Sequence, residues 1–279
     1  MRTFKLRNSL GAYYDLTVDK TSMLLLVGGL GYDEENTYQR IGHRFTTLKS
    51  YLKQGVVNGT VHFWQPKAHE EYQKFVKFCQ FKPLTLIYNP TGVKEYYRRG
   101  AVTSVTYDES KPLEAGVKFT CSTPFFESVR VVTEPGSGGM IYGKIYDYTY
   151  PYRYSSTTTN NVTINMDSTV ESPCKLILYG PLQNPEWKHY VNNELVSTGK
   201  VNITVPSGHY LVVDNTGDNL SIEEYDNTNT FVADRYQLSD FSTERAIYLE
   251  YGQNRIAVDD EGGNKVKVVA EGELYYASV

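Results

Sequence analysis

The chain has 279 residues, 40% of them hydrophobic and 22% charged, enough apolar side chains for a packed core and about two domains. With 28 basic against 32 acidic residues the net charge is -4, which argues against a protein that coats nucleic acid, a task that needs a surplus of Lys and Arg. No run of 18 apolar residues is present, so no membrane insertion is expected, and Cys79, Cys121 and Cys174 are too isolated for a disulfide framework or a cysteine zinc site.

No apolar stretch follows the first basic residues as a secretory signal requires, so synthesis in a reducing cytosol is expected. The composition is unusual in its 25 tyrosines against 2 tryptophans and 11 phenylalanines. Tyrosine, threonine and valine suit pleated, half-buried surfaces, and 22 glycines and 11 prolines supply turns, so the chain is expected to be mainly β.

In chain order, residues 4–6 and 13–16 flank Asn8-Ser9-Leu10-Gly11 and predict a hairpin. Residues 23–27 predict a strand running into Gly28-Gly29-Leu30-Gly31, and residues 56–64 predict another. Residues 66–79 predict the one helix: Pro66 suits a first turn, Glu70 and Glu71 lie near the positive end of its dipole, and Pro83 stops the run. Tyr72, Phe75, Val76 and Cys79 fall at i, i+3, i+4 and i+7, one apolar stripe. Phe78 points away from that stripe and is a candidate assembly contact, unless a neighbouring loop covers it. Strands are expected over 84–88, 101–107 and 116–122, which makes residues 1–133 a β-structure with one helix packed on it.

Glu134-Pro135-Gly136-Ser137-Gly138-Gly139 predicts a linker, and residues 134–279 a second domain. Strand-like runs then recur about every ten residues: 141–150, 162–166, 175–179, 187–191, 201–205, 210–213, 220–225, 230–233, 246–251, 255–258 and 265–270. Asn192-Asn193 and Gly262-Gly263 predict hairpin turns, because both residue types tolerate positive φ. Many short strands without helices predict an antiparallel sandwich or barrel.

Motifs that carry chemistry are missing. Neither glycine run has the spacing of a phosphate loop or opens a helix. No HExxH or GxSxG occurs, and no cysteine carries a nucleophile signature, so no catalytic, cofactor or metal residues are nominated. The loop of residues 214–219 offers oxygens to a calcium ion but lacks the EF-hand order, and an Asn/Asp-rich turn is its ordinary explanation, while Asp259-Asp260-Glu261 reads as a solvated hairpin tip. In residues 146–154, Tyr146, Tyr148, Tyr150, Tyr152 and Tyr154 alternate with Asp147, Thr149, Pro151 and Arg153, so five phenols share one strand face. That face is either packing surface or a stacking platform for sugars.

Several segments together resemble the distal tail protein (Dit) family of long-tailed phages and prophages of Gram-positive bacteria. They are Tyr88-Asn89-Pro90-Thr91-Gly92, Glu95-Tyr96-Tyr97-Arg98, Ser122-Thr123-Pro124-Phe125-Phe126, Leu178-Tyr179-Gly180-Pro181-Leu182-Gln183-Asn184-Pro185 and Glu250-Tyr251-Gly252-Gln253-Asn254, with the tyrosine-rich strand between. The resemblance implies an N-terminal belt domain, a β-barrel or sandwich with one helix, that assembles into a hexameric ring. It also implies a C-terminal galectin-like antiparallel β-sandwich. Such a ring, at the virion tail tip, is a hub joining the tail tube protein to a tail-associated fibre or lysin protein and, in some phages, a receptor-binding protein. It implies no enzyme, cofactor or specific nucleic-acid partner. A carbohydrate-binding or host-adhesion protein that uses the tyrosine face is the alternative, and a degraded cell-wall hydrolase a third.

Overall fold

A computed structural model of the chain describes residues 2–18, 21–133, 160–217 and 219–279. It divides into two units, one of residues 1–127 with 275–279 and one of residues 128–274. The division thus comes ahead of residue 133, and residues 275–279 group with the first unit. The glycine-rich segment 134–139 and the strand expected over 141–150 lie outside the described residues.

The first unit contains β1 (Thr3–Arg7), β2 (Tyr13–Asp15), β3 (Thr17–Val18), β4 (Ser22–Gly28), β5 (Glu34–Ile41), β6 (Arg44–Leu52) and β7 (Val56–Phe63). Next come α1 (Ala68–Cys79), β8 (Leu84–Asn89), β9 (Tyr96–Tyr107), β10 (Glu114–Cys121) and the start of β11 (Phe125–Thr133). An antiparallel sheet runs β2-β1-β8-β9-β10-β7-β4-β3. Leu16 curls it shut: its N–H donates to Phe4 O at 2.9 Å, and its carbonyl accepts from Leu24 N at 2.8 Å. Leu6, Leu24, Val61, Leu86 and Phe119 fill the interior, where burial of each large apolar side chain is worth roughly 1.5–3 kcal/mol.

Helix α1 supplies Phe75, fully buried against Phe63 and Tyr14 at ring distances of 6.0 and 5.2 Å. Of the expected stripe, Phe75 and Cys79 are buried with Ala68, while Tyr72 and Val76 are half-buried. Phe78, the candidate assembly contact, is neither buried nor fully exposed. Its ring is half-buried and lies 5.5 Å from Tyr14, which the first hairpin brings over the helix. The strands expected from the sequence do not include residues 34–52, where β5 and β6 pair into a hairpin that forms its own two-stranded sheet.

The second unit contains β12 (Asn160–Met166), β13 (Ser172–Tyr179), β14 (Leu182–Gln183), β15 (Glu186–Val191), β16 (Glu194–Lys200), β17 (Thr204–Val205) and β18 (Tyr210–Asp214). It continues with β19 (Ser221–Tyr225), β20 (Phe231–Asp234), β21 (Tyr248–Leu249), β22 (Gly252–Asp259) and β23 (Lys267–Tyr276). One antiparallel sheet runs β20-β19-β18-β13-β23, a second runs β12-β22-β15-β16, and β14 pairs with β17. The first sheet is buried on both faces, Leu176, Leu211, Ile222 and Val268 on one and Ile177, Val212 and Val269 on the other, and Ile164, Trp187 and Ile256 are buried on the second sheet.

Asn192 and Asn193 make the expected hairpin turn, with φ of 51° and 72°. The strand it opens is β16, ahead of the run expected at 201–205, of which only Thr204–Val205 is strand. Ser197, Thr198 and Gly199 give β16 no apolar alternation, so pairing with β15 decides it. Of the run expected over 246–251, only Tyr248–Leu249 is strand.

Candidate functional site

Nucleophilic chemistry has no foundation at the cysteines. All three are buried, and burial pushes the Cys79 and Cys174 thiols up to about 12. Among the described residues no three His, Cys, Asp or Glu side chains group to hold a metal ion. Asp214 accepts from Thr216 and faces the Lys175 ammonium at 3.2 Å; Glu261 meets Lys200 at 2.5 Å; Asp260 accepts from Asn264. Asp214 and Asp260 brace their own turns, and Glu261 and Asp214 also tie them to lysines on other strands.

One buried charged group merits a chemical reading. Glu224 on β19 receives two hydrogen bonds from Arg235, at 2.9 and 2.7 Å, and lies 2.6 Å from His209 Nδ1. Burial pushes its carboxyl up, but the bonds from Arg235 and His209 outweigh it and hold the group below the usual range. A carboxylate engaged at both oxygens is a brace. No helix among the described residues is long and apolar enough to cross a membrane.

Tyr146, Tyr148, Tyr150, Tyr152 and Tyr154 lie outside the described residues. A different tyrosine row exists in the second unit. Lys267, Tyr179, Tyr210, Tyr225 and Phe231 are register partners across five strands, one rung on one face of the first sheet. Tyr210 and Tyr225 stack at 5.5 Å with 11° between planes, and Tyr179 lies 5.3 Å from Tyr210. Tyr179, Tyr210 and Tyr225 are half-buried and pack against Ile177, Val212 and Val269. Their hydroxyls donate to Glu223 at 2.6 Å and Asn229 at 3.0 Å. The rung is packing surface.

The hairpin β5–β6 is the feature the fold does not explain by itself. From Glu34 to Tyr51 every residue is exposed, on both faces. Tyr38, Ile41, Phe45, Leu48 and Tyr51 are between 52% and 70% exposed. A two-stranded ribbon without a further layer is at best marginally stable in water, and large apolar side chains gathered on it mark a surface made for contact. Leu48 stands at a bulge where the register shifts past Thr37 and Tyr38, which sharpens the local twist. Sequence reasoning missed this site; its one signal was five large apolar residues spread through a polar segment.

Residues 3–125 match the family model described as "Distal tail protein, N-terminal domain". A chain of the phage P2 baseplate in its activated conformation with calcium aligns over 100% of both chains, at 15% identity and a TM-score of 0.60. The SPP1 Dit protein, described as a paradigm of hub adsorption apparatus in phages infecting Gram-positive bacteria, aligns over 96% of this chain and 98% of its own. Its identity is 9% and its TM-score 0.63. No curated protein matches the sequence. The whole chain thus has the fold of phage distal tail and baseplate proteins.

Proposed function

We propose that this protein is a structural hub of a phage tail end, one copy of a closed hexameric ring that joins the tail tube to tail-associated and receptor-binding proteins. The observation that carries the reading is the doubly exposed hairpin Glu34–Leu52. A ribbon that cannot bury either face within its own chain gains a partner for both when identical copies close into a ring. The likeness to distal tail and baseplate structures supports the same reading. In this reading the first unit forms the ring and the second, a galectin-like sandwich, projects from it. The protein is synthesised in the host cytoplasm and resides at the virion tail tip, and it catalyses nothing.

Mass by light scattering, then negative-stain imaging, tests this for the full chain alone and co-expressed with its tail neighbours. Closed rings are expected, and Tyr38→Ser with Phe45→Ser should leave monomers that melt like the parent. A parent chain that stays monomeric in both settings overturns the proposal. Turnover of purified peptidoglycan that disappears on replacing one carboxylate overturns its non-enzymatic part.

A further inference from the structure

The first unit buries a cation that no described carboxylate compensates. Arg98 on β9 is 4% exposed, and no described acidic side chain makes an ion pair with it. Its guanidinium is held in place by carbonyls, a ring and a glycine. Nε donates to Thr123 O at 3.1 Å, and Nη1 donates to Gly29 O at 3.5 Å. Cζ lies 4.7 Å from the centre of the Phe125 ring. At Gly55 a Cβ would stand 1.7 Å from Nη2, so only glycine leaves room for the group. Gly29, at φ +82°, presses so close to Val56 that a Cβ would meet its carbonyl oxygen at 1.8 Å, which fixes the accepting carbonyl beside Arg98.

Burial draws the pKa of Arg98 down, yet a guanidinium stays charged at any ordinary pH. Nη2 has no acceptor within the described protein and is not sealed from solvent. The side chain lines a cleft of about 650 Å³. Lys53 and Asp33 also line the cleft and lie 3.5 Å apart, so their charges cancel and Arg98 supplies the net positive charge. Ser122 adds a hydroxyl with no hydrogen bond of its own to the described protein. A buried, uncompensated charge is costly, and its cost is relieved by an anion.

We propose that this cleft is a carboxylate-binding site that receives an Asp or Glu side chain from a neighbouring protein chain. A planar carboxylate matches the free donors of one guanidinium and one hydroxyl. A phosphate dianion would call for a second cation, and Lys53 is already committed to Asp33. The cleft, about 650 Å³, has room for a peptide segment along with its side chain. The assignment stands on Arg98 alone and does not require a ring.

The test is a titration of the full chain, followed by the Arg98 Nε–H resonance in an arginine-labelled sample. N-acetyl-aspartate methylamide, acetate, inorganic phosphate and chloride are compared at equal ionic strength. The expected result is a saturable shift with both carboxylates, tighter for the peptide-like one, and none with chloride. Arg98→Lys, read by calorimetry, should weaken binding about tenfold and Ser122→Ala about threefold. Should Arg98→Lys fail to fold, Ser122→Ala still decides, because its hydroxyl supports no other described group. No saturable shift, phosphate binding tighter than carboxylate, or affinity unchanged in the variants overturns the site. Acetate binding as tightly as the peptide carboxylate overturns the protein source.

Discussion

The indole of Trp187 fills the space over Gly199, its register partner on the next strand, with Cζ2 2.3 Å from where a Cβ on Gly199 would stand. Trp187 is fully buried, so the glycine is what lets the largest side chain of the second unit lie flat on its neighbour. Gly199→Ala should therefore cost about 1–3 kcal/mol, as overpacking commonly does. Gly217→Ala, with nothing within 4 Å of the added methyl, should stay within about 0.5 kcal/mol. Urea unfolding followed by tryptophan emission compares them; equal midpoints would refute the packing argument.

A second prediction concerns acid. His189 is fully buried, with Nε2 3.0 Å from Asn254 Oδ1. Asn254 Nδ2 donates to Glu250 O and Gly252 O, so its oxygen faces the histidine and Nε2 carries the proton. Nδ1 has no partner. Burial pushes the histidine pKa below 6.5, against the smaller opposite pull of Asn254 and Glu250. The unfolded chain therefore takes up a proton below pH 6.5 that the fold resists. This contribution to stability is complete above 6.5 and is lost as pH falls towards the folded pKa, at up to about 1.4 kcal/mol per pH unit. Unfolding free energies between pH 7.5 and 5.5 should fall more steeply in the parent than in His189→Gln; parallel slopes would count against it.

Removing the Glu224 brace should be expensive. Glu224→Ala leaves Arg235 and His209 facing a buried gap, and loss of one partner from such a network costs roughly 3 kcal/mol. Glu224→Gln, which keeps shape and one acceptor, should cost less. Because its carboxyl is held below the usual range, the brace's contribution is present above about pH 4.5 and lost as pH falls through the folded value. Thermal melts of both variants at pH 7 and pH 4 provide the check, and a null effect of Glu224→Ala at pH 7 would show the network to be dispensable.

Phe78 and Phe45 should separate folding from assembly. Phe78 is half-buried against Tyr14, so Phe78→Ala should lower stability by about 1–2 kcal/mol and leave association unchanged. Phe45, 70% exposed on the hairpin, should do the reverse on replacement by Ser. Melting curves paired with light scattering distinguish the two, and the opposite pattern would make Phe78 the contact.

Several features were determined by the sequence alone, because their causes are local. The helix follows from one apolar stripe between Pro66 and Pro83, and Asn192-Asn193 turns because both side chains tolerate positive φ. The short segments that resemble distal tail proteins were also legible, and residues 3–125 match that domain. The tertiary structure decided the rest. Phe78 packs beside Tyr14, which stands 64 positions earlier in the chain. The strands of β5–β6 are held by pairing to each other, so no buried face imprints a period on their sequence. The tyrosine row of Tyr179, Tyr210 and Tyr225 exists only in register across three strands, and no spacing along one strand encodes it. Arg98 looks in the sequence like any arginine beside a tyrosine pair. Its burial and its lack of a counter-charge arise because strands from different parts of the chain converge on it, and electrostatic isolation is a property of three-dimensional distance.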